Sequence, residues 1–376
     1  MRPPLGLYIH IPFCKSKCSY CDFYSVSYSE LASDNYIKAV ISEFNRVIEY
    51  FDDITFDTIY LGGGTPSLLT TNQLIRLVNA LIESGRLEKK LEFSIEVNPE
   101  SSNNFRLYRD IGINRVSIGV QTLNQNILNN LNRLHNSKQA VSAIQNANEF
   151  FENINADLMI GLPSQTKADV RHSLLRILPY ITHLSVYMLR LSEGTKMMMD
   201  IDSEILTPLS DDATIDQYDL IFDKATKLNF NRYEISNFSK GVKYECKHNI
   251  KYWNCSESIG LGPGSHSYIN NVRYDNPSDI KNYIKNKACS FPSTFECCKP
   301  QSVSISLFEA IMLGLRMPVG INIEDINNRF KINFLEKYKS VLKTIDDYVT
   351  LKDGRLFIRP EYLTVQNSIV IEFLDY

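Results

Sequence analysis

The sequence has no long apolar run and little excess of charge. Nowhere do about eighteen apolar residues follow one another, the length that a membrane-spanning helix needs. The short apolar run near the start follows a single cation and is interrupted by Pro12, which is not typical of a signal peptide. The net charge is −3, whereas a nucleic-acid partner would call for a basic face. We therefore expect a cytoplasmic protein with at most peripheral membrane contact and no nucleic-acid partner.

Cysteine is sparse and unevenly placed. Cys14, Cys18 and Cys21 follow the apolar segment Leu7–Phe13, and the next cysteine is Cys246. Three thiolates can hold three corners of a [4Fe–4S] cluster and leave the fourth iron open. A structural zinc site would close with four protein ligands, and a disulfide is disfavoured in a long chain without a secretory signal. We predict a cluster on these three and no metal role for the other five, which are Cys246, Cys255, Cys289, Cys297 and Cys298.

Short β-rich runs alternate with segments of helical periodicity in the first part of the chain. This alternation predicts parallel βα units, and six of them would form an open, partial barrel. Polar or glycine residues follow the strands, where barrel enzymes carry their sites. The predicted strands are Leu7–Ile11, Thr58–Leu61, Phe93–Val97, Arg115–Val120, Ala156–Ile160 and Leu184–Leu189.

The pattern changes past about residue 200. A loop-rich stretch is expected over His248–Tyr268, and three helices with the hairpin Val349–Ile358 indicate a winged-helix-like end. The predicted fold is therefore α/β, a partial (β/α)6 barrel with a small α+β winged-helix-like C-terminal domain. Its predicted parts are the barrel at 1–200, a barrel extension and linking region at 201–300, and the C-terminal domain at 301–376.

The cysteine spacing, with Tyr20 between the last two cysteines, resembles the radical S-adenosylmethionine superfamily. The resemblance implies that S-adenosylmethionine chelates the open iron. It further implies that one electron from the cluster cleaves the sulfonium and releases a 5′-deoxyadenosyl radical, and that Tyr20 packs against the adenine. Gly62, Gly63 and Gly64 follow the second strand and resemble the superfamily's GGE-type motif, with Thr65 in place of the acid.

Four further residues have the chemistry that S-adenosylmethionine requires. This cofactor presents a carboxylate, an ammonium and two hydroxyls, which call for a cation, an acid and hydrogen-bond acceptors. Glu96, Gln121, Arg133 and Asp157 supply such groups. Taken singly, Arg133 also fits an ordinary helix-surface cation, and Asp157 a cap at a strand end.

Six longer motifs occur along the chain, namely Tyr8–Cys14, Gly62–Ser67, Glu96–Pro99, Ser117–Gln121, Asp157–Pro163 and Tyr233–Phe238. As a set they resemble the oxygen-independent coproporphyrinogen III oxidase family and its HemW branch of haem chaperones. The oxidase pattern has a further cysteine two positions after the third one, whereas here Asp22 and Phe23 follow Cys21. The first strand also begins close to the start of the sequence. Both features favour the HemW branch. The residues that the resemblance places against S-adenosylmethionine are Tyr8, Gly63, Gly64, Thr65, Glu96, Gln121, Arg133 and Asp157.

The segment His248–Trp253 looks like the haem-associated HNxxYW motif of that branch. A histidine can ligate haem iron, and Tyr252 and Trp253 offer flat apolar surface to a porphyrin. The residues alone favour a different interpretation, in which His248 is hydrogen-bonded in its loop and Trp253 is core; the resemblance favours haem. His266, in a glycine-rich turn, is a second candidate ligand.

The resemblance implies a haem chaperone that uses a [4Fe–4S] cluster and S-adenosylmethionine in a supporting role. Its implied partners are haem, a haem-recipient respiratory membrane protein and an electron donor that the sequence does not identify. The alternative is an enzyme, an oxygen-independent coproporphyrinogen III oxidase that decarboxylates propionates through the radical. Whether the chain is an enzyme is therefore open at this point.

Overall fold

The computed structural model describes residues 2–101, 104–285 and 291–374, so Cys289 lies outside the described residues. An eleven-stranded sheet dominates the fold, and a three-stranded sheet lies near the C-terminus. The strands are β1 (Leu5–Ile11), β2 (Phe13–Cys14), β3 (Val26–Ser27), β4 (Phe56–Gly63), β5 (Leu87–Val97), β6 (Arg115–Gln121), β7 (Asn153–Ile160), β8 (His183–Met188), β9 (Asn231–Arg232), β10 (Asn237–Ser239), β11 (Ser258–Leu261), β12 (His266–Ile269), β13 (Val272–Asp275), β14 (Ile321–Asn322), β15 (Val349–Lys352) and β16 (Arg355–Ile358).

Helices connect the strands and cover one face of the large sheet. Capping boxes begin α2, α5 and α6, with Thr70, Asn136 and Thr166 as the N-cap residues. The helices are α1 (Glu30–Tyr50), α2 (Thr71–Glu83), α3 (Phe105–Asp110), α4 (Gln125–Asn130), α5 (Ser137–Asn148), α6 (Lys167–Ile177), α7 (Lys196–Asp202), α8 (Asp211–Lys227), α9 (Lys247–Trp253), α10 (Ile280–Lys285), α11 (Ser293–Cys297), α12 (Val303–Gly314), α13 (Ile323–Phe330), α14 (Phe334–Lys337), α15 (Lys339–Thr344) and α16 (Gln366–Val370). Within the described ranges, no helix combines the length and the apolar content needed to cross a membrane.

The large sheet has the strand order β13-β12-β11-β1-β4-β5-β6-β7-β8-β10-β9. The strands from β11 to β8 in this order run parallel, and antiparallel strands extend both edges. The predicted βα units appear in spatial order as β1, β4, β5, β6, β7 and β8. This confirms the predicted α/β architecture, and the sheet remains open, with β13 and β9 as its two edges.

The two faces of the parallel strands differ in chemistry. In β1 the side chains of Leu5, Leu7, Ile9 and Ile11 are fully buried in the hydrophobic core, which they share with helices such as α1. Successive side chains of a strand point to opposite faces. The alternate positions of the neighbouring strands therefore form a second face, and that face is polar. It carries Tyr8, His10, Thr58, Tyr60, Glu92, Ser94, Glu96, Arg115, Ser117, Asn155, Asp157, His183 and Ser185.

One stretch differs from its prediction. The segment expected to be loop-rich, His248–Tyr268, contains most of α9, all of β11 and part of β12. Strand β11 pairs in parallel with β1, so it extends the barrel on the side away from β4. Four-residue strands next to glycine-rich turns give too short a period-two pattern to be recognised from the sequence.

The C-terminal part has the order helix, strand, helices and hairpin, which is that of a winged helix. Strands β14, β16 and β15 form its sheet, and Asp353 and Gly354 make the hairpin turn with positive φ angles of 51° and 73°. The predicted hairpin is confirmed; the predicted third helix is divided at Tyr338 into α14 and α15. A second hydrophobic core lies within this part of the chain, and Cys255, from outside the C-terminal segment, also packs in it. The boundaries at residues 200 and 300 stay predictions.

Candidate functional site

Two neighbouring cavities open where the parallel strands end. The cysteine cavity, of about 490 Å³, has Cys14, Cys18 and Cys21 in its wall. The histidine cavity, of about 1040 Å³, has His248 and His266 in its wall. The two cavities share part of their lining, namely Lys17, Asp22, Phe23, Ser25, Tyr60, Glu96 and Tyr187.

Two side chains from the barrel donate hydrogen bonds to thiols of the cysteine loop. Arg133 Nη1 donates to Cys18 Sγ at 3.3 Å, and Thr65 Oγ1 donates to Cys14 Sγ at 3.8 Å. Burial raises the pKa of the Cys14 thiol, and it raises that of Cys21 to about 11. Both thiols are therefore protonated at neutral pH, and binding of a metal cluster would release their protons. In the described part of the chain, no three His, Cys, Asp or Glu side chains are grouped as they would be around one metal ion.

The glycine turn at the end of β4 packs so closely that no side chain fits. A Cβ at Gly64 would lie 2.7 Å from the carbonyl oxygens of both Ile11 and Phe13. Gly63 has a φ of +105°, and a Cβ there would lie 2.5 Å from His10 Nδ1. The bare backbone thus reaches the cysteine loop directly, which explains why glycine is needed at both positions.

Arg133 is one of three cationic residues in the wall of the cysteine cavity, together with Lys17 and Arg190. Its Nη2 donates to Asn98 Oδ1 at 2.7 Å and to the Gly119 carbonyl oxygen at 2.9 Å. Its Nε is buried and has no hydrogen-bond partner among the described residues. A buried donor without a partner is costly, so an acceptor from a ligand would relieve this cost.

Glu96 and Asp157 are acids in the wall of the same cavity, which also contains Asp22. Glu96 accepts from the Gly63 amide at 3.0 Å and from the Tyr60 hydroxyl at 3.1 Å. Burial, followed by the nearby Asp157, raises the pKa of Glu96 to about 7. Burial also raises the pKa of Asp157, which accepts from Ser117 at 3.1 Å. Two carboxyls with raised pKa values would be well matched to a cationic ligand.

The structure brings most of the predicted cofactor residues together. Gln121 is buried and has a φ of +65° at the end of β6, where the register with β7 shifts. Such strained positions concentrate at functional sites. Tyr8 differs, because it lies in the wall of the histidine cavity and its hydroxyl is 3.0 Å from His10 Nδ1. The predicted residues in the wall of the cysteine cavity are Gly63, Gly64, Thr65, Glu96, Gln121, Arg133 and Asp157, together with Tyr20.

His248 is buried and hydrogen-bonded at both ring nitrogens. Its Nδ1 is 2.9 Å from Thr58 Oγ1, and its Nε2 is 2.9 Å from the Tyr252 hydroxyl. Burial lowers the pKa of His248 to about 3, so the ring is neutral. It stacks on Tyr60 at 5.3 Å between ring centroids, and Tyr60 stacks on Tyr8 at 6.3 Å. Ligation of iron by His248 would require one of these hydrogen bonds to break.

The other two haem candidates lie in different surroundings. His266 is exposed in the wall of the histidine cavity, and its ring makes no hydrogen bond to any described residue. Trp253 is half-buried outside the cavity lining, beneath the Arg316 guanidinium, whose carbon is 5.5 Å from its ring centroid. Of the candidate histidines, His266 is therefore the one whose ring nitrogens are available.

A chain of buried hydrogen bonds, which we call the relay, links Asp157 to the start of α9. Asn155 Nδ2 donates to Asp157 Oδ1 at 2.8 Å, and Asn155 Oδ1 is 2.7 Å from His183 Nδ1. His183 Nε2 is 2.7 Å from the Tyr233 hydroxyl, which accepts from the Cys246 amide at 3.1 Å. Sequence reasoning did not assign the roles of Asn155 and Tyr233 or identify the partners of His183. Two signals could have indicated these roles. Asn155 and His183 are polar residues at alternate positions of buried strands, and Tyr233 belongs to the Tyr233–Phe238 motif.

Glu92 is a further missed residue, and it caps α9 from the neighbouring strand. Its carboxylate accepts from the backbone amides of Lys247 and His248, each at 3.0 Å. A carboxylate at a helix N-terminus satisfies free amides and interacts favourably with the helix dipole. Glu92 and the relay thus fix where α9 begins on the polar face of the sheet, and hence the position of His248.

Comparisons with known proteins agree with this geometry. The model of the radical SAM superfamily matches residues 8–177. The heme chaperone HemW of Lactococcus lactis is 34% identical over 100% of this chain and 98% of its own length, and that of Bacillus subtilis is 31% identical over 96% of each. The solved coproporphyrinogen III oxidase (HemN) from Escherichia coli, a radical SAM enzyme, has a TM-score of 0.84 at 20% identity. The alignment covers 100% of this chain and 91% of that one, and it shows a shared fold.

Proposed function

This chain belongs to the HemW family of radical S-adenosylmethionine proteins, and from that premise we propose that it is a haem chaperone. It binds haem in the histidine cavity and delivers it to a respiratory membrane protein. One observation carries the proposal: a cavity of about 1040 Å³ combines aromatic walls with the available imidazole of His266. Ligand pockets commonly have volumes of about 300–1000 Å³, so the space suits a large flat ligand.

The cysteine cavity fits a [4Fe–4S] cluster and S-adenosylmethionine. Cys14, Cys18 and Cys21 would hold the cluster, and the carboxyl of Glu96 and the guanidinium of Arg133 would face the ammonium and carboxylate of the second cofactor. When bound, this pair supplies one electron for cleavage of the sulfonium. The protein's contribution is to exclude water and to fix the charges around the two cofactors.

His266 is the proposed ligand of the haem iron, and His248 has a supporting role. The hydrogen bonds to Thr58 and Tyr252 hold the His248 ring against Tyr60 in the lining of the histidine cavity. Aromatic side chains in a cavity lining offer apolar contacts to a porphyrin. Tyr252 lies in the same lining, with its ring perpendicular to that of His248, whereas Trp253 is not part of the lining.

The alternative function is coproporphyrinogen oxidation. The likeness to the solved oxidase supports it at the level of the fold alone, since the two sequences are 20% identical. The chaperone relatives cover nearly the whole chain at higher identity, which favours haem binding over catalysis.

Anaerobic titration of the protein with haem tests the proposal. We expect one haem per chain, and we expect His266→Ala to shift the Soret band and to weaken binding by about tenfold or more, because an axial ligand is lost. His248→Ala should retain the wild-type Soret position with a lower unfolding midpoint, because it leaves Thr58 and Tyr252 without their partner. The matched control is His172→Ala on the exposed face of α6, which should change neither value.

Coproporphyrinogen turnover is measured on the same preparation. Haem binding without turnover supports the chaperone. S-adenosylmethionine-dependent decarboxylation would contradict it and would establish the oxidase instead. A Soret band unchanged in His266→Ala would contradict the assignment of the ligand.

Binding of S-adenosylmethionine should weaken as the pH falls below about 7. The pKa of Glu96 is about 7 in the free protein, so at lower pH the carboxyl is neutral and must lose a proton to pair with the ammonium. We expect the affinity to fall by up to about tenfold per pH unit below that value. Calorimetry between about pH 5.5 and 7.5 keeps the ligand's amino group protonated. Glu96→Gln should bind more weakly with a flat profile, and a steep profile in that variant would assign the effect to another group.

The raised pKa of Glu96 also makes the free energy of unfolding depend on pH. The folded protein holds the Glu96 proton more tightly than the unfolded chain does. This group's contribution to the free energy of unfolding therefore decreases as the pH rises from about 4.5 to about 7.

A further inference from the structure

The histidine cavity has a cation at the end that faces the C-terminal helices. Arg273, on β13, lies in the cavity wall beside Tyr268 and the α12 residues Glu309, Met312 and Leu313. Lys17, on the cysteine loop, is the other Lys or Arg among the described residues that line this cavity. A ligand with both an apolar ring and carboxylates would find apolar surface and a cation together at the Arg273 end.

The guanidinium of Arg273 is held in an orientation that suits binding of a carboxylate. Its Nε and Nη2 both donate to Glu309 Oε2, at 3.1 Å and 2.9 Å. Its central carbon lies 4.6 Å from the centroid of the Tyr268 ring, so the ring fixes the plane of the guanidinium. Arginine in such an orientation recognises carboxylates with defined geometry, which a flexible lysine does not provide.

Glu309 occupies the position that a ligand carboxylate would take. Its other oxygen accepts from Gln301 Nε2 at 3.1 Å, so the side chain retains a partner if it leaves the arginine. The ion pair is partly exposed, with side-chain exposures of 42% for Arg273 and 22% for Glu309. Exposed ion pairs contribute little stability, so exchange of one carboxylate for another costs little.

We propose that Arg273 anchors a propionate of the bound haem. When no haem is bound, Glu309 pairs with the same guanidinium, and it therefore competes with the propionate for Arg273. This inference rests on the proposed haem function and assigns a residue to one end of that ligand. The ring of the tetrapyrrole would then extend from Arg273 along Met312 and Leu313 towards His266. Helix α12 thereby becomes part of the haem site, although it belongs to the C-terminal part of the chain.

The experiment compares haem with its dimethyl ester, which has the same ring and metal but no carboxylates. Affinities for both are measured for the full-length wild type, Arg273→Gln, Glu309→Gln and Lys17→Gln. We expect Arg273→Gln to weaken haem binding by about tenfold and to leave ester binding unchanged. Glu309→Gln should tighten haem binding by about threefold, because the competing charge is removed. Lys17→Gln is the matched control and should not change the ratio of the two affinities.

Each other result overturns the inference in a recognisable way. If Arg273→Gln weakens haem and ester equally, Arg273 acts by packing and not on a carboxylate. If Lys17→Gln changes the ratio and Arg273→Gln does not, the anchor lies at the opposite end of the cavity. If the wild type binds neither haem nor ester, the proposed function fails as a whole and this assignment fails with it. Unfolding midpoints in urea, compared among the variants, separate these outcomes from misfolding.

Discussion

Alanine at any one of Cys14, Cys18 and Cys21 is expected to abolish the iron–sulfur absorbance of the reconstituted protein and to leave haem binding in place. A cluster with two remaining thiolates has lost a third of its protein ligands, and no other described cysteine lines the cysteine cavity. The proposed haem site lies in the neighbouring histidine cavity, whose lining contains none of these three residues. The two cofactor sites are therefore separable by mutation.

Iron and sulfide analysis with absorbance near the Soret band measures both sites on one sample. Cys297→Ala is the matched control, since Cys297 is exposed and lies outside both cavities. It should retain full cluster content. A cysteine-loop variant that keeps its cluster would contradict the assignment, and one that loses haem as well would show that the two cavities function as a single site.

The barrel and the cysteine site could be predicted because their signals are local. Short β-rich runs alternate with segments of helical periodicity, and Cys14, Cys18 and Cys21 are close together in the sequence. The hairpin turn at Asp353 and Gly354 is likewise encoded by adjacent residues with a known conformational preference.

The residues that position α9 could not be predicted in this way, because they meet only through the fold. Glu92 is 155 positions from the amide of Lys247 that it caps. Tyr233 and His183 are 50 positions apart. A polar residue at an alternate position of a strand indicates that the strand has a polar face, but it does not identify its partner across the sheet. The role of His248 illustrates the same point, since its hydrogen bond to Thr58 spans 190 positions.

The relay has a single direction, which follows from the chemistry of its members. Asn155 Nδ2 donates to Asp157, so its Oδ1 is the acceptor that faces His183. Burial lowers the pKa of His183 well below its usual value, so the ring is neutral and carries one proton. That proton must be on Nδ1, which leaves Nε2 to accept from Tyr233, whose oxygen accepts from the Cys246 amide. Every donor thus points towards the carboxyl of Asp157, an arrangement in which hydrogen bonds strengthen one another.

Tyr233→Phe should therefore be strongly destabilising although it removes one oxygen atom. It leaves the buried Cys246 amide without its acceptor and His183 Nε2 without its donor. At about 1–3 kcal/mol for each buried unsatisfied group, we expect a loss of about 3 kcal/mol in the free energy of unfolding. Tyr348→Phe makes the same chemical change at an exposed site and should cost less than about 0.5 kcal/mol.

Urea unfolding gives the stability difference, and hydrogen exchange shows where it originates. We expect faster exchange of the amides of Cys246, Lys247 and His248 in Tyr233→Phe, because the acceptor at the start of α9 is lost while the Glu92 cap remains. Haem affinity should decrease in parallel, since α9 carries the His248 and Tyr252 wall of the histidine cavity. Unchanged exchange at these amides, with stability equal to that of Tyr348→Phe, would show that α9 is positioned without the relay. In that case Glu92, together with the hydrogen bond from His248 to Thr58, would link the helix to the polar face of the barrel.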